Sequence, residues 1–318
     1  MVGKFVLAVH GGAGTLAPEI VTAGLEQSIH NALRKALRAG NKILAAGGPA
    51  IDAVTAAVVV LEDDPLFNAG HGAVFNAAGR QEMDAAVMDG ATRGAGAVAG
   101  ICGPRNPVLA ARAVMEHSSH IMMIGEGAMQ FARDCGLPFE DEEYFQTERR
   151  WRALQSKLGD QRAGNIAPLD DADRHGTVGA VAMDMRGGLA SATSTGGTTA
   201  KLPGRVGDSP LIGAGTWASD LVAVSATGDG EHFIRVGVGH EINARLRYAG
   251  QSVEVAAEDV IAEVGRRGGS GGLIAVDASG RVAMPFNGRG MYRGTIDESG
   301  VGHTAIYRDM PRRLDAAA

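Results

Sequence analysis

The 318-residue chain has two cysteines, Cys102 and Cys135, which form no CxxC pair and no disulfide framework. That points to a reducing compartment. Positive charge is not in excess: 30 Lys and Arg stand against 36 Asp and Glu, for a formal net charge of -6, and no basic block interrupts the balance. A nucleic-acid partner is therefore disfavoured. Long apolar runs are also missing. The longest, Ala53 to Leu61, is bracketed by Asp52 and Glu62 and is too short to span a bilayer. The apolar stretch before His10 is too short for a secretory signal. The expectation is a cytoplasmic protein without a membrane partner. The nine histidines fall in no HExxH or Cys/His spacing, which disfavours a catalytic zinc. His10 and His71 sit in glycine loops and read as packing groups.

Glycine, by contrast, is plentiful, with 47 residues that cluster in loops and follow no period. Two of these loops imitate known motifs. Gly94 to Gly100 has one residue too many for a dinucleotide fingerprint, and no GxxxxGK[ST] occurs. Gly268 to Gly272 matches GxSxG around Ser270, but a helix precedes it and a strand follows. That is the reverse of a nucleophile elbow and reads as a helix cap and turn.

Periodicity places a strand at Phe5 to Val9 and then a helix carrying Leu25, Ile29, Leu33 and Leu37 on one stripe. A buried helix runs from Ile51 to Leu61, followed by a Gly/Asn-rich loop from Phe67 to Gly79 and strands near Met83 to Met88 and Ala95 to Ile101. Charged and amide residues dominate from Glu140 to Arg174, which reads as a mobile connector with a frayed helix at Arg149 to Leu158. In the second half, Thr177 to Met183 and Leu189 to Thr193 form a hairpin, as do Leu273 to Val276 and Val282 to Pro285. Between these hairpins lie a strand at Leu221 to Ala226 and helices at Glu231 to Tyr248 and Val253 to Arg266. Hairpins with paired helices predict an α+β fold with antiparallel sheets and helices outside.

Four glycine-rich turns in the second half carry hydroxyls or charges: Gly176-Thr177, Ser194 to Gly197, Pro203 to Asp208, and Thr227 to Glu231. An internal threonine is a poor nucleophile. Cutting the bond before Thr177 would expose an α-amine on the same residue, with a pKa of about 7.7–8.0, able to take the hydroxyl proton. Gly176 tolerates the strained carbonyl that such a cut requires. Without the other turns, Gly-Thr simply starts a strand. Thr227 and Gly228 could supply donors to an oxyanion. Arg205 offers a fork to a carboxylate and Asp208 an anion to an ammonium, which together would grip an amino-acid head group. The bland alternative for Arg205 and Asp208 is a surface ion pair. Thr195 could orient Thr177 through a hydroxyl–hydroxyl bond.

With those residues in view, the chain resembles the plant-type asparaginase and isoaspartyl peptidase family of N-terminal-nucleophile hydrolases. The likeness runs through HGGAG at His10, LFNAGHGAVF at Leu66, MDAAVMDG at Met83, GTVGAVA at Gly176, STGG at Ser194, KLPGRVGDSPLIGAG at Lys201 and TGDGE at Thr227. The resemblance implies a four-layer αββα sandwich in one domain. It also implies self-cleavage between Gly176 and Thr177 into α (1–176) and β (177–318) subunits, and a dimer of αβ units. By match, Thr177 is the nucleophile assisted by Thr195, and Thr227 with Gly228 forms the oxyanion hole. Arg205 with Gly230 would bind the substrate carboxylate, and Asp208 with Gly228 the amine. Asn68 would assist maturation. No catalytic cofactor is implied. A structural sodium ion would sit on backbone carbonyls of Leu61, Glu62, Asp64, Phe67, Ala69 and His71. Asp229, beside the oxyanion site, is expected to point away from it. The activity implied is hydrolysis of β-aspartyl dipeptides and L-asparagine. A glycosylasparaginase-like amidase and a non-catalytic amino-acid-binding precursor remain as alternatives.

Overall fold

The computed structural model describes residues 3–14, 22–162, 176–308 and 312–313. The first half supplies β1 (Val6–Ala13), α1 (Ala23–Ala45), α2 (Ala50–Glu62), β2 (Met83–Asp89), β3 (Ala95–Ile101), α3 (Pro107–His117), β4 (Met122–Ile124), α4 (Gly125–Asp134), α5 (Glu142–Phe145) and α6 (Glu148–Arg162). The second supplies β5 (Val178–Met183), β6 (Leu189–Thr195), β7 (Thr216–Ala218), β8 (Val222–Gly228), α7 (Gly230–Val236), α8 (Val238–Ala249), α9 (Val253–Arg266), β9 (Gly271–Asp277), β10 (Val282–Ala283), β11 (Met291–Asp297), β12 (Gly302–Ala305) and β13 (Arg312–Arg313).

The strands form a nine-stranded sheet, β13-β12-β11-β1-β5-β6-β2-β3-β4, and a four-stranded sheet, β10-β9-β8-β7. Side-chain alternation explains how they stack. In β1 and β5, Leu7, Val9, Val178, Ala180 and Ala182 pack under α1 and α2, while Val6, Ala8, Val181 and Met183 face the other sheet. In β8 and β9, Val222, Val224, Leu273 and Ala275 pack under α8 and α9, while Ala223, Ile274 and Val276 face inward. The result is helix, sheet, sheet, helix: the expected αββα sandwich.

The local chemistry accounts for the elements. Thr22 caps α1 by accepting the Leu25 N–H at 3.2 Å, and Ile29, Leu33 and Leu37 bury the predicted stripe. α2, buried on most sides, packs beside α1, with α1 over β1, β11 and β12 and α2 over β5 and β6. Both predicted hairpins form, with Asp184 and Asp277 satisfying turn N–H groups.

Two expectations need correction. The single helix expected over Glu231 to Tyr248 is two helices, because Gly237 adopts φ 65° and breaks the ladder between α7 and α8. The frayed helix expected at Arg149 to Leu158 is the longer α6, fixed by Leu154 packed with Phe75 and by buried Arg150, whose Nε donates to the Gly72 carbonyl at 2.9 Å. The connector expected to be mobile also holds α5, with Phe145 buried, and its residues 163–174 lie outside the described residues. Among the described residues no helix is long and apolar enough to cross a membrane.

Candidate active site

The layer between the sheets changes character along its length. One end is apolar. At the other, the inward positions of β6 and β8 become Thr193, Thr195, Ser225 and Thr227, joined by His10 from β1, Thr216 from β7 and Thr177 at the head of β5. All seven are buried.

Thr177 Oγ1 donates to Thr195 Oγ1 at 3.0 Å, and the Gly197 N–H donates to the same Thr195 oxygen at 3.0 Å. Thr195 is thus held in place from the backbone while it orients Thr177. The Gly176 carbonyl, on the bond proposed for cutting, accepts the Asn68 N–H at 3.1 Å. Asn68 is itself clamped: its Nδ2 donates to the Gly197 carbonyl at 2.6 Å and its Oδ1 accepts the Val74 N–H at 2.9 Å. A Cβ at Gly176 would lie 2.5 Å from Asn68 Cβ, so only glycine fits this approach. The contact Asn68 makes with the junction is therefore through its backbone, with the side chain fixing the loop.

Thr227 is fully buried, and its Oγ1 accepts the Ala13 N–H at 3.2 Å. With one lone pair taken, its own proton is free to donate. Gly228 pairs with Gly271, and its φ of 152° and a Cβ position 2.4 Å from the Ser270 carbonyl exclude any side chain there. The Asp229 carboxylate accepts the Ser270 N–H at 2.8 Å, on the β9 side of the turn. Ser270 sits between α9 and β9, the helix-then-strand order read from the sequence.

Arg205, Asp208 and Gly230 converge. A Cβ at Gly230 would lie 2.9 Å from Asp208 Oδ1 and 3.0 Å from Arg205 Nη2. Arg205 presents its Nε and Nη2 side to Glu231, with both bonds at 2.9 Å. That leaves the Nη1/Nη2 end, a second two-pronged edge, for another carboxylate. Burial works against the Arg205 charge, but Glu231 outweighs it and the guanidinium is held above its ordinary value. The Asp208 carboxyl is pushed up to about 7, chiefly by burial and against the pull of Arg205. Its Oδ2 is buried with no hydrogen-bond partner among the described residues. An unpaired buried acceptor beside a forked cation is suited to an ammonium arriving with a carboxylate.

The asparaginase family profile (asparaginase 2) matches residues 3–306. The chain belongs to the asparaginase 2 family. Over 315 residues it is 50% identical to the isoaspartyl peptidase of Escherichia coli K12, covering 96% of this chain and 97% of that protein. It is 46% identical to the plant-type L-asparaginase of Pyrobaculum calidifontis, covering 91% and 95%. The isoaspartyl peptidase/L-asparaginase of Mus musculus is 44% identical over 87% of this chain and 83% of its own.

As an asparaginase 2 member, the chain has further features that sequence reasoning did not assign. His10 was read as packing, yet its Nδ1 lies 3.0 Å from the Thr177 carbonyl and its Nε2 lies 2.9 Å from Ser225 Oγ. Glu231 is the partner that orients Arg205. Lys201, buried and held below its ordinary value by burial, donates from Nζ to the Glu82 carbonyl at 2.7 Å beside the turn that carries Arg205. The alternation of Ser191, Thr193 and Thr195, and of Ser225 and Thr227, was the available signal for the hydroxyl cluster.

The six residues expected around a sodium ion lie on the end of α2 and the loop after it. Gly70 and Gly72 close over this loop: a Cβ on them would meet the Glu62 carbonyl at 2.5 Å and the Phe67 carbonyl at 2.1 Å. Leu61, Asp64 and Ala69 carbonyls accept N–H groups of their own turns. The His71 ring stacks on Tyr144 with centroids 4.4 Å apart. Among the described residues no group of three or more His, Cys, Asp or Glu side chains is placed to hold a metal. Any cation in this loop would therefore depend on carbonyl oxygens.

Proposed function

We propose that this chain hydrolyses β-aspartyl dipeptides and L-asparagine through a β-aspartyl ester on Thr177, after cutting itself between Gly176 and Thr177. The observation that carries the reading is the pairing of Thr177 and Thr195 hydroxyls at 3.0 Å, together with Arg205 and Asp208, which converge on Gly230 at the end of the Thr227-Gly228 turn. The names of its relatives support the same substrates.

In the cut, Thr177 Oγ attacks the Gly176 carbonyl carbon, whose oxygen is already polarised by the Asn68 N–H. The Gly176–Thr177 C–N bond breaks, the nitrogen gains the hydroxyl proton, and water hydrolyses the resulting ester. Thr177 is left with a free α-amine, which serves as the base for its own hydroxyl. In turnover, the end of Arg205 and the Gly230 N–H take the substrate α-carboxylate, and Asp208 takes the α-amine. Thr177 Oγ attacks the side-chain acyl carbon. Thr227 Oγ–H and the Gly228 N–H receive the oxyanion, the amine or ammonia departs with the proton, and water releases aspartate.

Intact-mass spectrometry of purified protein, with turnover of β-aspartyl-Leu and L-asparagine on the same sample, tests the reading. Fragments corresponding to residues 1–176 and 177–318 with turnover are expected; an uncut chain with full activity sinks it. The same reading carries a dimer of αβ units in the cytoplasm. It also carries a sodium ion on the carbonyls of Leu61, Glu62, Asp64, Phe67, Ala69 and His71, to be checked by light scattering and elemental analysis.

A further inference from the structure

We infer that His10 is a positioning residue for the nucleophile, a neutral imidazole that donates from Nδ1 to the Thr177 carbonyl and accepts at Nε2 from a hydroxyl relay of Thr216, Thr193 and Ser225. The inference rests on the function proposed above.

The direction of every bond in the relay follows from its last acceptor. A carbonyl oxygen only accepts, so the 3.0 Å contact between His10 Nδ1 and the Thr177 carbonyl places a proton on Nδ1. Full burial pushes the His10 pKa down to about 3, so the ring carries no second proton at neutral pH. Nε2 is then a bare acceptor, and Ser225 Oγ–H, 2.9 Å away, must donate to it. Ser225 Oγ must then accept from Thr193 Oγ1 at 2.7 Å, a shorter contact than the 3.3 Å that separates the Thr193 hydroxyl from the Gly215 carbonyl. Thr193 accepts from Thr216 Oγ1 at 2.8 Å, and Thr216 divides its proton between Thr193 and the Ser209 carbonyl at 2.9 Å. Protons therefore point one way, from beside Asp208 to the backbone of Thr177.

The space around the relay is built for it. His10 is the register partner of Gly179 across β1 and β5. A Cβ at Gly179 would lie 2.0 Å from Ser225 Oγ and 2.4 Å from His10 Nε2, so any side chain there would break the bridge between the sheets. The bond fixes the peptide plane that follows Thr177, and with it the direction in which the Thr177 hydroxyl and amine project from the strand. Because Nε2 is occupied and the ring does not charge, His10 orients the nucleophile and is not its base. The relay also ties the strand of the nucleophile to the turn that carries the head-group anion.

The test uses the full-length, matured protein. Nitrogen-15 histidine spectra, with the His10 signal assigned by comparison with His10→Asn, should show a neutral Nδ1–H ring that does not titrate between pH 5 and 8. Ser225→Ala should keep the Nδ1–H tautomer and shift the Nε2 signal, because that nitrogen loses its donor. His10→Leu should lower kcat about 10–100-fold with KM little changed. His10→Asn keeps an N–H donor near the Nδ1 position and should restore most of the loss. A ring protonated on Nε2, a ring that titrates in that range, or a His10→Leu variant less stable but with normal kcat would each overturn the inference. Wild-type protein that turns over neither β-aspartyl-Leu nor L-asparagine would instead sink the proposed function, while the spectra still decide the relay.

Discussion

Replacing Asp208 with Asn removes one negative charge and almost no volume from the head-group pocket. In the parent protein Asp208 is buried, with its pKa pushed up to about 7 by desolvation. Its proton leaves only as pH rises through that value, so the anion that binds an ammonium is gained with rising pH. At pH 6 roughly one Asp208 in ten is charged, and at pH 8 roughly nine in ten. KM of the parent should therefore rise about tenfold from pH 8 to pH 6, since the substrate's ammonium stays charged throughout. A charged hydrogen bond of this kind contributes about 1.5–3 kcal/mol. Asp208→Asn should accordingly raise KM at pH 8 by about 10–150-fold and flatten its pH dependence. The kcat profile, governed by the Thr177 α-amine with a pKa of about 7.7–8.0, should keep its acidic limb. Initial rates with β-aspartyl-Leu and L-asparagine across pH 5.5 to 8.5 provide the assay. The two substrates share one head group, so both KM values should shift together. A variant that keeps the parental pH dependence of KM, or shifts it for one substrate only, refutes the placement of Asp208 on the amine.

Gly176→Ala puts a Cβ 2.5 Å from Asn68 Cβ and pushes the Gly176 carbonyl off the Asn68 N–H; a denaturing gel should keep one full-length band for hours, and two bands at the parental rate would contradict this. Arg205→Ala removes the fork held by Glu231 and should cut kcat/KM on β-aspartyl dipeptides by at least about 100-fold, whereas near-normal turnover would remove Arg205 from the head-group site. Glu62, fully buried with its pKa pushed up to about 8 by desolvation, accepts the Val108 N–H at 2.9 Å. Because its folded-state pKa lies above the unfolded one, the folded state is penalised increasingly as pH rises from about 4.5 to 8, by a few kcal/mol at the upper end. Glu62→Gln keeps the acceptor without the charge, so its Tm should exceed the parental Tm at pH 8 by more than at pH 5; a gap independent of pH would contradict the buried-acid assignment.

The fold was legible where local period and turn chemistry agree. The α1 stripe and the two aspartate-backed hairpins need no partner to be recognised. The inner break at Gly237 was not legible, because a glycine inside a helical pattern is ordinarily tolerated and only the packing of α7 against β8 and α8 makes it a cap. α6 was underestimated because its anchors, Leu154 on Phe75 and Arg150 on Gly72, are contacts with the loop after α2 and are invisible to periodicity. In the site, Thr177, Arg205 and Asp208 stand out as reactive or charged groups on glycine-rich turns. His10 does not, because its role depends on β1 pairing with β5 in the register that sets it opposite Gly179, and on β8 stacking across both. Glu231 escaped because it lies 26 residues from Arg205 in sequence, while Gly230 brings the two segments together in space.

The distribution of charge around Thr177 leads to a last expectation. Arg205 and Asp208 lie on the head-group turn and Glu231 at the start of α7, and buried Asp84, its carboxyl pushed above the usual range by burial, stands opposite Thr195 in the β2–β6 register, while Thr177 itself is bonded to a hydroxyl and an uncharged imidazole. Among the described residues Thr195 is the hydrogen-bond partner of Thr177 Oγ1, and a threonine hydroxyl is no base at neutral pH. His10 spends its Nδ1 proton on the Thr177 carbonyl and its Nε2 on Ser225. No group bonded to the Thr177 hydroxyl among the described residues is a base; a slow proton transfer to the departing nitrogen suffices for the single cut, whereas repeated turnover waits for the amine that scission creates on the same residue. Activity should then appear in strict proportion to cut chain during maturation. Following freshly translated protein by mass spectrometry and by asparagine turnover in parallel should give one time course for both. Activity that runs ahead of the fragments would mean that an uncut Thr177 finds its base elsewhere, and that the amine freed by scission is not what governs the chemistry.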